Sequence, residues 1–316
     1  MKRVLAIALV SMALAGIFSA RAQGAEFTGI RKLTNSEVQL QISSTSRFRI
    51  DLSTNLTGWT PLVSAERQST GYLDSGAPFF TRRFYSVQDF PTNTITGDHF
   101  ATEDGEVIVH PVFHASFVMQ WKDVVIYNDP DQPNSMYSTL PKANLILVSH
   151  SHGDHFDTAA INFVRANNGL LIVPQAVYSQ LSTTLRTSAI VLTNGASTNV
   201  LGMEIEAVPA YNSNHARGTG NGYVLTIGAK RFYMAGDTGD IPEMRALQNI
   251  DVAFLCMNVP FTMTVTAAAS AAREFRPRVL YPYHYRNQDG TFANLNELKR
   301  LIGTEAGIEV RQRPWY

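Results

Sequence analysis

Between Val148 and Asp157 the chain reads VSHSHGDHFD, which places three histidines and two aspartates within positions 150–157. Only eight histidines occur in the 316 residues, so three of them at spacings of two and three residues stand out from the composition. Imidazole is the commonest metal-ligating side chain, and carboxylate is the usual second choice. The pattern predicts a metal site rather than a polar surface loop. Further strong ligands follow at a distance. His215 closes VPAYNSNH, Asp237 closes RFYMAGD and His284 closes RVLYPYH.

The elements that must position these groups can be read from the flanking sequence. ANLILVS, RFYMAGD, DVAFLCM and RVLYPYH are short continuous apolar runs, as expected of strands buried on both faces. His150, Asp237 and His284 each fall at or just beyond the carboxyl end of such a run. In layered α/β proteins those ends gather along one edge, where ligand sites form. Five histidines (150, 152, 155, 215 and 284) and two aspartates (154 and 237) are therefore predicted to meet. EVIVHPVFHASFVMQW and DVVIYNDP read as paired strands. Asp157 is placed to cap a helix over TAAINFVRANN, ended by Gly169, and TVTAAASAAREF reads as another helix.

His-x-His-x-Asp-His with a distant His, Asp and His resembles the metallo-β-lactamase superfamily, over about residues 98–316. The resemblance implies an αββα sandwich with two metals at its edge. Carried over position by position, His150, His152 and His215 would hold one metal. Asp154, His155 and His284 would hold the other, and Asp237 would bridge them together with a water or hydroxide. Closer likeness is to the branch containing ascorbate-6-phosphate lactonase and the N-acyl-phosphatidylethanolamine phospholipases, carried by FHAS (113–116), YNDP (127–130) and AGDTGD (235–240). The chemistry fits independently of the likeness. Two divalent ions roughly 3.5–4 Å apart can share a hydroxide that is nucleophilic at neutral pH. They also polarise the oxygen that takes up negative charge. Asp154 is the residue expected to act catalytically, by orienting that hydroxide. Zinc is the first choice, and histidine–carboxylate sites also accept manganese or iron.

Departures from neighbouring subfamilies narrow the reading. His152 stands where flavo-diiron oxidoreductases of this fold usually carry Glu, which disfavours redox chemistry. Asp237 stands where many true β-lactamases have Cys or lack the bridging acid. Around the ligands, His114 is expected as a neighbour of the metals or a substrate contact, and Asp129 as a hydrogen-bond partner of the ligand loop. Tyr211, Asn212, Asn258, Tyr285 and Arg286 are candidates to line the pocket. His110 shares a strand face with His114 by period two but has no motif support, and His99 falls in a linker.

Ahead of this region the pattern is different. EVQLQI, RFRIDL and RRFYSV alternate apolar and polar residues with period two, the mark of half-buried strands, and turn-prone STNLTGWTP and LDSGAP separate them. STNLTGWTPL to RRFYSV resembles the small fibronectin-like or immunoglobulin-like β modules of secreted bacterial proteins. The domain expectation is a β-sandwich-like module over 23–90, a linker over 91–97 and the α/β domain over 98–316.

Lys2 and Arg3, the apolar run Val4–Phe18 and the A-x-A site Ala20-Arg21-Ala22 form a secretory signal peptide over residues 1–22. That run is shorter than the ~20 residues a membrane span needs, and no later stretch is long and apolar enough to span. The mature chain is thus expected in the periplasm or outside the cell. With a single cysteine, Cys256, no intrachain disulfide can form, and its apolar setting reads as a buried core thiol. The composition is 45% hydrophobic and 16% charged with zero formal net charge, which offers no general attraction to nucleic acid or anionic membranes. The expectation is an exported, binuclear metal-dependent hydrolase acting on a phosphodiester, lactone or related bond of a small-molecule or lipid-like ester. A β-lactamase-like amide hydrolase and a non-catalytic metal-binding or adhesion protein are the alternatives.

Overall fold

The computed structural model describes residues 24–316 and, ahead of them, only a two-residue antiparallel pairing of Ile7–Ala8 with Ile17–Phe18. Apart from that pairing, the expected signal peptide lies outside the described residues. The chain divides into two compact units. One comprises residues up to Ala101 together with Glu106–His110, and the other comprises Thr102–Gly105 and Pro111–Tyr316. The first unit therefore runs past the expected boundary at residue 98. Gly97–Thr102 pairs with Thr60–Ala65, so hydrogen bonding draws this segment into the N-terminal unit.

In the N-terminal unit, Val38–Ser44 pairs antiparallel with Ala25–Lys32 on one side and Gly71–Asp74 on the other. Phe48–Ser53 pairs with Thr60–Ala65 and Phe84–Asp89, also antiparallel. The period-two pattern holds through Val38–Ser44 and as far as Ile50, where a register shift buries Asp51 and leaves Leu52 only partly buried. Val38, Leu40 and Ile42 are buried while Gln41 points outward, and Phe48 and Ile50 are buried from the next strand. These side chains join Phe27, Leu62, Tyr85 and Val87 in one core fed by both sheets. His99 is not a linker residue. It is buried, with Nδ1 2.9 Å from Glu106 Oε2 and Nε2 2.8 Å from Ser64 Oγ. Its neighbours in sequence gave no sign of these partners, which come from other strands.

The second unit is the mixed α/β metallo-β-lactamase sandwich. One sheet runs Ser116–Trp121, Val124–Asn128, Ala143–Leu147, Arg165–Val173 and Ala189–Val191, antiparallel at the first pairing and parallel thereafter. The other runs Ser197–Val200, Met203–Ala210, Gly220–Ile227, Lys230–Met234, Val252–Cys256, Val279–Tyr283 and Glu309–Val310, with its last three pairings parallel. Phe117 of the first sheet stacks on Phe254 of the second at 4.1 Å between centroids. Tyr281 stacks on Phe254 at 5.0 Å, and Trp315 meets it edge-on. The two sheets thus pack face to face through aromatics.

The helices follow their caps. The Thr264 side chain accepts from Ala267 N at the start of Val265–Phe275, which buries Ala268, Ala269, Ala271, Ala272 and Phe275. The Asp157 side chain accepts from Ala160 N and opens Thr158–Val164. That helix ends well before Gly169, and Arg165–Val173 is strand. Pairing with Ala143–Leu147 outweighs the local helical pattern, and Gly169 serves that pairing rather than a helix end: a Cβ there would lie 2.5 Å from Ala143 O.

Two measurements check this core. Phe254→Ala should lower the unfolding free energy by about 3–5 kcal/mol in guanidinium titrations followed by tryptophan fluorescence, and a loss near zero would mean the aromatic contact between the sheets is dispensable. Cys256 is fully buried, and burial, with the nearby Asp237 charge, pushes its thiol up to about 12. A thiol reagent at pH 8 should titrate none of it in the native protein and one per chain after denaturation.

Candidate metal centre

Loops at the carboxyl ends of the parallel strands carry the chemistry. Ala143–Leu147 leads into His150, His152, Asp154 and His155; Lys230–Met234 leads into Asp237; and Val279–Tyr283 is followed directly by His284. His215 sits in the loop between Met203–Ala210 and Gly220–Ile227. Backbone conformation is unusual here. His114, Asp129 and His284 have φ of 55°, 41° and 47°, a left-handed region that non-glycine residues rarely occupy. Such strain collects at functional sites, where the surrounding structure must hold it. Gly236, at φ 61°, precedes Asp237, and a Cβ there would stand 2.9 Å from Asn221 O. The turn aiming Asp237 therefore requires glycine.

The seven side chains come together as three overlapping groups whose ligand atoms lie within 4.8 Å of one another. His150, His152 and His215 form one. His150, His155 and Asp237 form the second, and Asp154, His155 and His284 form the third together with His114. His215 Nε2 is 3.0 Å from His152 Nδ1. His284 Nε2 is 3.1 Å from His155 Nε2, and Asp237 Oδ1 lies 3.3 and 3.4 Å from these two nitrogens.

Asp129 is fully buried and holds no position among those groups. It accepts hydrogen bonds from Ser149 N at 2.7 Å, Ser149 Oγ at 2.7 Å and His155 Nδ1 at 2.9 Å. This fixes the His155 ring with Nε2 turned inward, the usual way a carboxylate orients a ligating imidazole. Asn212 does comparable work at His215. Its Oδ1 accepts from His215 N at 3.0 Å, and its Nδ2 lies 2.8 Å from His215 Nδ1 and donates to Asp237 O at 3.0 Å. His114 Nε2 is 3.0 Å from Asp154 Oδ2, and its Nδ1 is 2.8 Å from the Tyr316 hydroxyl. Tyr285 packs edge-on against Tyr316 at 5.0 Å, and Arg286 lies over the Tyr316 ring at 5.4 Å. Tyr211 points elsewhere, donating to Glu243 at 3.1 Å, and Asn258 is engaged by Thr262. His110 is bonded to Thr96 O in the N-terminal unit and takes no part.

Two contributors escaped the sequence reading. Ser149 lies inside VSHSHGDHFD, but a serine beside a ligand histidine carries no signal of its own that it binds Asp129. Tyr316 carries no local signal, because its partner His114 is 202 residues away.

The electrostatics fit divalent cations. Three buried atoms in this cluster make no hydrogen bond among the described residues: His150 Nε2, Asp237 Oδ1 and His284 Nδ1. Unsatisfied buried polar atoms are rare in native proteins, and a cation between His150 Nε2 and Asp237 Oδ1 would satisfy both. Burial lowers His150 well below the usual imidazole range and lowers His215, so both rings stay neutral as ligands must be. Burial disfavours the Asp237 carboxylate, but the His284, His155 and His150 rings outweigh it and hold the group down to about 2. Burial likewise opposes charge on His155, yet Asp237, Asp129 and Asp154 raise it to about 10. The carboxylates hold positive charge where a divalent cation would reside.

The second unit matches known proteins closely. Residues 106–285 match the β-lactamase superfamily domain model. A UPF0173 metal-dependent hydrolase of Thermococcus kodakarensis is 30% identical over 210 residues, spanning 63% of this chain and 93% of that protein. The Methanopyrus kandleri relative of the same name is 32% identical over 222 residues, spanning 62% and 91%. Among solved structures, a provisionally assigned metal-dependent hydrolase from Parabacteroides distasonis is 40% identical, with a TM-score of 0.62, covering 70% of this chain and 99% of its own. With the histidine–aspartate cluster at the sheet edge, these likenesses set aside a purely adhesive role: the chain belongs to the metallo-β-lactamase superfamily and is one of its metal-dependent hydrolases.

Proposed function

We propose that this hydrolase cleaves a phosphodiester, lactone or related ester bond of a small-molecule or lipid-like substrate, using two divalent cations, zinc before manganese or iron. The observation carrying the reading is the convergence of seven ligand side chains in overlapping groups, with buried acceptor atoms left unsatisfied between them. His150, His152 and His215 would hold one cation, Asp154, His155 and His284 the other, and Asp237 both. Bound there, the cations supply Lewis acidity and lower the pKa of water toward neutrality. Ester and phosphodiester cleavage build negative charge on oxygen, and mostly neutral imidazoles leave the site net positive to receive it. The proposal includes export, supported by the basic, apolar and A-x-A sequence of residues 1–22.

The chain's own groups have separable tasks. The Asp154 side chain is about half exposed (47%), whereas Asp237 and His155 are buried. Asp154 is therefore the most solvent-accessible of these carboxylates, placed to orient attacking water by accepting its hydrogen bond. Burial opposes charge on Asp154, but hydrogen bonds from His114 and His284 prevail and hold it well below the usual carboxylate range. His114 steadies Oδ2, and Tyr316 steadies His114. Asp129 keeps the His155 ring in place.

Purified full chain assayed on a nitrophenyl phosphodiester, a lactone and a β-lactam, with metal content measured alongside, tests the reading. Hydrolysis of the first or second, lost on chelation and restored by zinc, is expected, and preferential β-lactam turnover would overturn the substrate class. Asp237→Ala should reduce turnover by about 10²-fold or more and bring metal below two ions per chain. A variant with two ions and undiminished activity would refute the shared-ligand assignment. Tyr316→Phe should leave metal content and circular dichroism unchanged while lowering kcat by about tenfold with little change in KM; unchanged kcat would show that the Tyr316–His114 contact is only packing.

A further inference from the structure

His284 leads directly into a short hairpin. Ala293 N donates to Tyr285 O at 2.8 Å, Asn287 N donates to Thr291 O at 2.8 Å, and Arg286 bridges antiparallel to Phe292. The tip is tied down as well. Asn287 Nδ2 donates to Thr291 Oγ1 at 3.0 Å, Thr291 N donates to Asp289 Oδ1 at 2.9 Å, and Gln288 N donates to Val259 O at 3.2 Å. Residues directly opposite in an antiparallel pair place their side chains on one face, so Arg286 and Phe292 stand side by side. Both meet Tyr316: the Arg286 guanidinium lies 5.4 Å from its ring centroid and the Phe292 ring 5.2 Å.

Tyr316 joins this face to the metal centre. Its hydroxyl accepts from Arg286 N at 3.4 Å and lies 2.8 Å from His114 Nδ1. The His114 ring in turn lies 3.8 Å from the His284 ring, and its Nε2 reaches Asp154. The face is left open to solvent. Phe292 is 54% exposed and Arg286 is exposed. Val259, whose N donates to Asn287 Oδ1 at the hairpin tip, is also exposed. Of the large hydrophobic side chains exposed in the second unit, only Leu201 lies away from this hairpin. Gathered apolar exposure of this kind marks a binding surface, where scattered exposure would not.

Charge singles out Arg286. Two basic residues lie within two positions of a proposed metal ligand, Arg217 after His215 and Arg286 after His284. Arg217 is neutralised by Glu243, 2.5 Å from its Nη2. Among the described residues the Arg286 side chain meets the Tyr316 ring and makes no ion pair. Asp289, the carboxylate on the same hairpin, is turned to Thr291. A lone exposed cation would be an ordinary solvated charge. This one lies over one aromatic ring and beside another, on a hydrogen-bonded turn that begins at a ligand, with its guanidinium fork open to an oxyanion.

We propose that Arg286 and Phe292 select the substrate, with the reacting group at the cations, an apolar part of the same molecule against Phe292 and Tyr316, and a carboxylate on Arg286. One guanidinium balances a monoanion, which favours a carboxylate over a phosphate dianion. The inference rests on the hydrolytic reading above and narrows it to esters that carry a carboxylate on their apolar part.

Calorimetric titration of the full, metal-loaded chain at low ionic strength tests this with methylphosphonate, benzylphosphonate and (4-carboxybenzyl)phosphonate. The series adds first the ring and then the carboxylate to one metal-binding group. Each addition is expected to tighten binding by about fivefold or more. Arg286→Gln should abolish the preference for the carboxylated probe over benzylphosphonate, and Phe292→Ala should remove the gain from the ring. Carboxylated and plain benzylphosphonate binding within about twofold of each other would overturn the proposal. So would a carboxylate preference that survives in Arg286→Gln, a ring gain that survives in Phe292→Ala, or no saturable binding of the carboxylated probe up to about 50 mM. Binding is read without turnover, so a chain that hydrolyses none of the esters above still decides the matter. Chelation-sensitive hydrolysis without any preference among the probes would overturn this inference and leave the hydrolytic reading standing.

Discussion

Ligand atoms crowded together, several of them buried without a hydrogen-bond partner, are the constraint around which the second unit is organised. His155 Nε2 and His284 Nε2 stand 3.1 Å apart, His152 Nδ1 and His215 Nε2 3.0 Å apart, and Asp237 Oδ1 is enclosed without a hydrogen bond. Removing such groups from water is costly unless each finds a partner. Protons can fill part of the deficit, as the raised His155 shows. Divalent cations fill it better, because one ion meets several lone pairs at once. The same deficit that makes the cluster expensive makes it selective for cations, and metal affinity and local stability are coupled through it.

The rest of the unit makes this expense tolerable. Parallel strands end side by side, and buried aromatics between the sheets hold those ends in register. Left-handed residues at 114, 129 and 284 and the glycine at 236 turn the chain sharply enough to aim side chains inward. Asp129 turns both its oxygens to Ser149 and His155. This keeps a ligand ring from rotating away when no cation restrains it.

The N-terminal unit shows a contrasting arrangement of buried charge. At Asp74 the donors match the acceptor fully, and the unmet capacity lies on the cation, Arg83.

Much of this was written locally in the chain. The spacing of His150, His152, Asp154 and His155 reports ligands on one loop, since residues this close must share a neighbourhood wherever the loop lies. Apolar runs of strand length ending at 147, 234 and 283 announce strand ends, because burial on both faces forces continuous hydrophobicity. Val38, Leu40 and Ile42 announce a half-buried strand for the corresponding reason. Local pattern failed where pairing overruled it. Arg165–Asn168 looked like helix and joined a strand, and His99 looked like linker and found Ser64 and Glu106. Tertiary structure alone decided that Tyr316 reaches His114, and which residues of the ligand loop Asp129 grips. These are contacts between strands and loops brought together by packing, and no periodicity or spacing in the sequence encodes which side chains the packing will set face to face.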